Sequence, residues 1–158
     1  MKKLSLLLAA LLISGCSLFG DDDAVELQPA ELVKFQEEAS LKKQWSVNIG
    51  SGNKKFWDSL QPSASDSTIF AADHEGTVTA IDLSSGKRRW STELDSPISG
   101  GVGYGAGIVM VGSIEGQVYA LSADTGAVQW TANVNAEILA SPQSNGDIVV
   151  VQAIDNKL

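Results

Sequence analysis

One stretch of this chain occurs twice, and that repeat constrains the fold more than any other feature. Residues 75–90 read EGTVTAIDLSSGKRRW and residues 115–130 read EGQVYALSADTGAVQW, matched throughout at an offset of 40. Glu, Gly, Val, Ala, Gly and Trp recur in place, and Ile81 is answered by Leu121. A further copy begins at Asp155, 40 residues after Glu115. A period of this length marks an architecture in which each unit buries its apolar surface against its neighbours.

Each copy divides into strands and turns. Residues 77–82 alternate, with Val78 and Ala80 on one side and Thr77, Thr79 and Ile81 on the other, which predicts a half-buried strand. Residues 117–122 follow the same plan. A short apolar run precedes each copy, at 68–72, 108–112 and again at 148–152. After it comes a turn, Ser84-Ser85-Gly86 or Asp124-Thr125-Gly126, and then a strand carrying Trp90 or Trp130. Gly86 and Gly126 supply the positive φ that a tight hairpin needs, and Gly76 and Gly116 in the Glu-Gly pairs suit the opposite hairpin. A fourth, shorter strand is expected near 97–102 and 138–142. Four short antiparallel strands in about forty residues make a propeller blade, so the fold class is all-β. The recurrent Trp is then a wedge between successive blades.

These units resemble the pyrroloquinoline-quinone-type propeller repeat, with its pattern Gly-x-Val-x-Ala-Leu-Asp, Thr-Gly and Trp. Taken with the N-terminus, the chain is identified as a member of the BamB family, lipoproteins of the outer-membrane β-barrel assembly machinery. The resemblance runs from Cys16 to the last residue and implies an eight-bladed propeller, of which about three blades' worth of strands is present. It also implies a non-catalytic scaffold without cofactor, at the periplasmic face of a Gram-negative outer membrane. Its implied partners are the barrel insertase and accessory lipoproteins; that exposed edge strands or loops also hold unfolded outer-membrane proteins by β-augmentation is a separate conjecture from strand physics.

Residues 1–15 read as a secretion signal, with Lys2 and Lys3 before an apolar stretch too short to span a bilayer. Ile13-Ser14-Gly15-Cys16 resembles a bacterial lipobox, so Cys16, the sole Cys, is the expected site of lipid attachment. Ser17 follows it where Asp would retain a lipoprotein at the inner membrane. Residues 16–42 read as a tether, with a solvated acidic run at Asp21-Asp22-Asp23 and a short helix expected after Pro29. The incomplete propeller then occupies 43–158. Gln44-Trp45-Ser46 imitates Arg89-Trp90-Ser91, which predicts that 43–49 is the last strand of a blade whose other strands lie elsewhere. Residues 50–55 add about five positions relative to later repeats. Because the sequence stops inside a repeat, the reading is of an N-terminal fragment, marginal alone and prone to aggregate. A natural stop codon directly after Leu158 would count against it.

Candidate chemistry is sparse. The formal net charge of −8 argues against nucleic-acid binding and against an electrostatic grip on anionic lipid. A quinone-dependent dehydrogenase is the rival reading from another class, and a propeller lipoprotein with a different envelope partner is a third. The dehydrogenase pattern includes a vicinal Cys pair and a calcium-binding Glu-Asn-Asp set, and neither can be assigned here, so no catalytic, cofactor or metal residue is named. His74, the only His, sits in a hairpin turn and reads as a surface residue. Asp82, replaced by Ser122 in the next copy, reads as a turn hydrogen-bonder. The glycines of 100–105 precede no helix, so they form no dinucleotide loop; crowding between inner strands explains them better.

Overall fold

The computed structural model describes residues 30, 31, 33, 38–51 and 60–155. The chain divides into two compact units, Met1–Leu41 and Lys42–Leu158. Of the first, Ala30, Glu31, Val33 and 38–41 have no regular secondary structure. The expected signal, Cys16, the acidic run and most of the expected helix lie outside the described residues.

The second unit is all-β among its described residues. Strands β1 (Ser63–Ala64), β2 (Thr68–Ala72), β3 (Thr77–Asp82) and β4 (Arg88–Glu93) form one four-stranded sheet in chain order. Strands β5 (Ile98–Gly105), β6 (Ile108–Ser113), β7 (Gln117–Ser122) and β8 (Val128–Asn133) form the next. A third begins with β9 (Gln143–Ser144) and β10 (Val149–Val150). All pairings are antiparallel, the meander of a propeller blade.

The 40-residue period survives at the level of single pairs. Ser63 faces Phe70, Gly103 faces Met110 and Gln143 faces Val150. Ile98 faces Ser113, and 40 residues on Ile138 bridges Ala153. Even the irregularity recurs: the register shifts between Ala80 and Ile81 in one blade and between Ala120 and Leu121 in the next. Register is this reproducible because a one-residue slip would turn every apolar side chain to the wrong face.

Two expectations need correction. β3 is not half-buried, since Val78, Thr79, Ala80 and Ile81 are all at most 1% exposed, whereas β7 keeps Gln117, Tyr119 and Ser122 half-buried as expected. A blade has neighbours on both faces, so alternation sorts side chains between two interfaces instead of between core and water. Phe70, Val78 and Ala80 pack with Val102, Val109, Val111 and Leu121 of the following blade in one shared cluster. Each such side chain contributes roughly 1.5–3 kcal/mol when fully buried. On the other face Thr79 reconciles its hydroxyl with burial through a 3.1 Å bond to Ser91. The second correction concerns the first of the two strands expected to be short, the other being short as expected, with an isolated bridge at Ile138 and the 2-residue β9. β5 has 8 residues and is the longest, although its ladder to β6 is twice interrupted. It is long because it also binds its neighbours: the Val102 amide donates to the Gln61 carbonyl at 2.9 Å and Ser99 Oγ to the Ile138 carbonyl at 2.8 Å.

Candidate functional site

The most regular constellation is the joint between blades. Trp90, on β4, donates its indole N–H to the Ala123 carbonyl of the next blade at 2.8 Å. Its ring lies over Gly126, where an added Cβ would stand 2.5 Å from the ring. Thr92 Oγ1 donates to the Gly126 carbonyl at 2.8 Å. Gly126 has φ of +74° and Gly86 of +70°, a conformation that glycine adopts without penalty. The turn glycine therefore serves both the hairpin and the seat of the preceding Trp.

Trp45 repeats the arrangement one blade earlier. Its indole donates to the Leu83 carbonyl at 3.0 Å and its ring lies over Gly86. Trp45, Val47 and Ile49 are half-buried between exposed neighbours, as in an extended strand. Among the described residues no strand pairs with this segment, so it carries no ladder. Trp130 is 38% exposed and sits on no turn glycine among the described residues.

Gly76 and Gly116 occupy the opposite hairpins. There the Leu94 amide donates to the Gly76 carbonyl and Val134 to Gly116, each at 3.0 Å. A Cβ at Gly76 would meet the Leu94 carbonyl at 2.5 Å, and one at Gly116 the Ala136 backbone at 2.8 Å. These contacts fold the connection to the next blade back over the hairpin. That corrects the reading of His74, which is 6% exposed: the Ile98 amide donates to its carbonyl at 3.0 Å and the returning chain covers the turn.

Asp73 was not singled out by the sequence. It is 2% exposed and accepts amide hydrogens from Thr77 at 2.7 Å and Ser51 at 2.9 Å. In the next repeat Ser113 Oγ accepts the Gln117 amide at 3.0 Å. The available signal was a short polar side chain four residues before each third strand.

Asp82 closes its hairpin by accepting from Arg89 at 2.6 Å, from the Ser84 and Ser85 hydroxyls, and from the Ser85 amide at 2.9 Å. The Arg89 guanidinium, followed by these serine donors, holds the carboxyl well below the usual carboxylate range. A depressed folded-state pKa stabilises above the unfolded value of 3.8 and is lost as pH falls towards the folded one. Asp82→Asn should therefore flatten the loss of stability below about pH 4 in acid titrations followed by circular dichroism. An unchanged acid profile would show that the pair contributes nothing at this exposed site.

An open cleft of about 590 Å³ lies between the first two blades, bounded by Asp66, Thr68, Arg89, Tyr104 and Asp124. Phe70 stacks on Tyr104 at 5.2 Å behind it. Among the described residues no three His, Cys, Asp or Glu side chains are grouped to hold a metal ion. No helix among them is long and apolar enough to cross a membrane.

The chain matches the family model for outer membrane protein assembly factor BamB over residues 29–100 and again over 74–158. It is 46% identical over 113 residues to the outer membrane protein assembly factor BamB of Pseudomonas aeruginosa, covering 72% of this chain and 29% of that one. Among solved structures it is similar to BamB from Moraxella catarrhalis, with a TM-score of 0.56, 28% identity, and 62% of this chain and 30% of that chain covered. A likeness in fold alone extends to the quinohemoprotein alcohol dehydrogenase of Comamonas testosteroni, at TM-score 0.52 and 23% identity, covering 65% of this chain and 18% of that one. The chain spans under a third of the length of the curated BamB relative it matches here.

Proposed function

The chain belongs to the BamB family of outer membrane protein assembly factors, and from that premise we propose that it acts as a non-catalytic scaffold in the assembly of outer-membrane β-barrel proteins. The observation that carries this reading is the family match, which runs through both complete blades. In the proposed role the blades form a rigid support, and the turns at their rims supply specificity for the insertase and its accessory lipoproteins. Segments 1–15 and 16–42 act as signal and tether, and 43–158 as the propeller part. Cys16 carries the lipid that holds the protein at the periplasmic face of the outer membrane. Cys16→Ala should move the protein from the membrane pellet to the soluble periplasmic fraction. Persistence in the pellet after a high-salt wash would remove the anchor from the proposal.

The role itself is tested by capture from detergent-solubilised envelopes, with the complete reading frame tagged at its C-terminus. Recovery of an outer-membrane barrel insertase with its lipoprotein partners is the expected result; recovery of an unrelated complex, or of nothing, overturns it. The fold shared with a quinohemoprotein dehydrogenase makes one biochemical control necessary. Addition of pyrroloquinoline quinone and calcium should give no dye reduction with alcohols or sugars, and a turnover-dependent signal would reverse the non-catalytic assignment.

A further inference from the structure

The outer strands of the two complete blades differ in a way that their shared packing does not require. β4 carries Arg88, Arg89 and Glu93, and β8 carries Val128, Gln129 and Asn133 at the same three positions. The register is the same in both: Arg88 and Val128 face Ile81 and Leu121, and Glu93 and Asn133 face Thr77 and Gln117. Charged side chains on an edge strand deter pairing with another chain. The β4 edge therefore has this protection, with Arg89 further held by Asp82 and the Ser67 carbonyl. The β8 edge has none. None of its six residues is charged or Pro.

β8 is the terminal strand of its sheet. The Val134 amide donates inward to Gly116 at 3.0 Å, and the Ala127 carbonyl accepts from Ser122 at 2.8 Å. Because direction alternates along an antiparallel strand, Thr131 and Asn133 turn their N–H and C=O groups to the open side. This edge is distinct from the face that bears Trp130, which corresponds to the face Trp90 uses to seat on Gly126.

We infer that the outer edge of β8 binds an extended segment of a client chain as an added antiparallel or parallel strand, while the β4 edge is closed to it. The occupant alternates apolar and polar residues and is poor in Asp and Glu. Asp124 and Glu137 flank the strand, and the whole chain carries a net charge of −8, so acidic segments are repelled at both ends. Main-chain hydrogen bonds provide the affinity and side-chain alternation the selectivity. This rests on the proposed assembly role, because membrane barrel strands alternate in this manner.

The probe is a fluorescein-labelled twelve-residue peptide of alternating Val and Thr with Lys at each end, added to the full chain. Amide exchange should slow at Thr131 and Asn133 and remain unchanged at Ser91 and Glu93, the matching positions of β4. The triple variant V128R/Q129R/N133E should weaken binding at least tenfold by fluorescence anisotropy. It should also fold, because β4 accommodates those residues in the same register; an unchanged urea midpoint checks this. Thr131→Pro provides a second test, since it removes an outward amide without breaking a bond to β7. Equal affinity for both variants, protection elsewhere, or no binding at millimolar peptide overturns the inference. If the peptide fails while the envelope capture recovers the insertase, the edge assignment falls and the assembly role stands. If the peptide binds at β8 and the capture fails, the edge is a strand-binding site serving other clients.

Discussion

Trp90→Ala should lower the unfolding free energy by about 2–3 kcal/mol, below the usual cost of removing a fully buried aromatic because the ring is half-buried. The ring contacts Gly126 and lies 6.1 Å from Phe70, and its N–H reaches the Ala123 carbonyl across the blade boundary. Truncation therefore removes packing and leaves a carbonyl without its indole donor. Trp130→Ala is the internal control. The same residue in the same place of the next repeat is 38% exposed and has no turn glycine beneath it among the described residues, so its loss should cost under about 1 kcal/mol. Urea unfolding of the two variants measures the difference, and equal costs would show that the joint contributes little.

A mutant cycle sharpens this. Gly126→Ala places a Cβ 2.5 Å from the Trp90 ring and forces alanine to φ of +74°. In the Trp90→Ala background the ring clash is gone, leaving the backbone strain of about 1–2 kcal/mol and the Thr92 hydroxyl, 2.7 Å from the added Cβ, which a side-chain rotation relieves. The two substitutions should therefore be strongly non-additive, as expected for residues in direct contact.

Gly103→Ala should be comparably severe, at about 3 kcal/mol, near the upper end for overpacking. A Cβ there would overlap the Pro142 carbonyl oxygen of the following blade, and a backbone atom cannot rotate away as a side chain can. Gly107→Ala is the matched control: a Cβ meets nothing within 4 Å, and only the φ of +78° opposes it. Its cost should stay near 1–2 kcal/mol. If both glycines proved equally tolerant, close approach of the first strands would not be what selects glycine in β5.

Most of the blade was legible because the signals are local. Strand alternation, the Gly at positive φ and the short polar turn residues each act within a few positions of one another. Their repetition at 40 residues turned weak local signals into a firm assignment of fold. Asp82 illustrates this, because its partners Ser84, Ser85 and Arg89 all lie within 7 residues of it. His74 illustrates the opposite. Nothing around the turn at 73–76 indicates burial, which comes from the chain returning through Leu94 to Ile98. Asp73 escaped notice because one of its amide partners, Ser51, lies 22 residues away.

The candidate surface divides in the same way. Replacement of Arg88, Arg89 and Glu93 by Val128, Gln129 and Asn133 is plain in an alignment of the two repeats, but its meaning depends on which strand ends a sheet. Sequence by itself determined the period, the strands, the turns and the Trp and Gly positions, since all depend on backbone preference and short-range patterning. Only the tertiary structure decided that both faces of β3 are buried, that Trp90 is seated on Gly126, and that β8 presents an unguarded edge. Those properties depend on contacts between residues some 33 to 40 positions apart, such as Trp90 with Ala123 and Ser99 with Ile138, and no local preference encodes where such a neighbour stands.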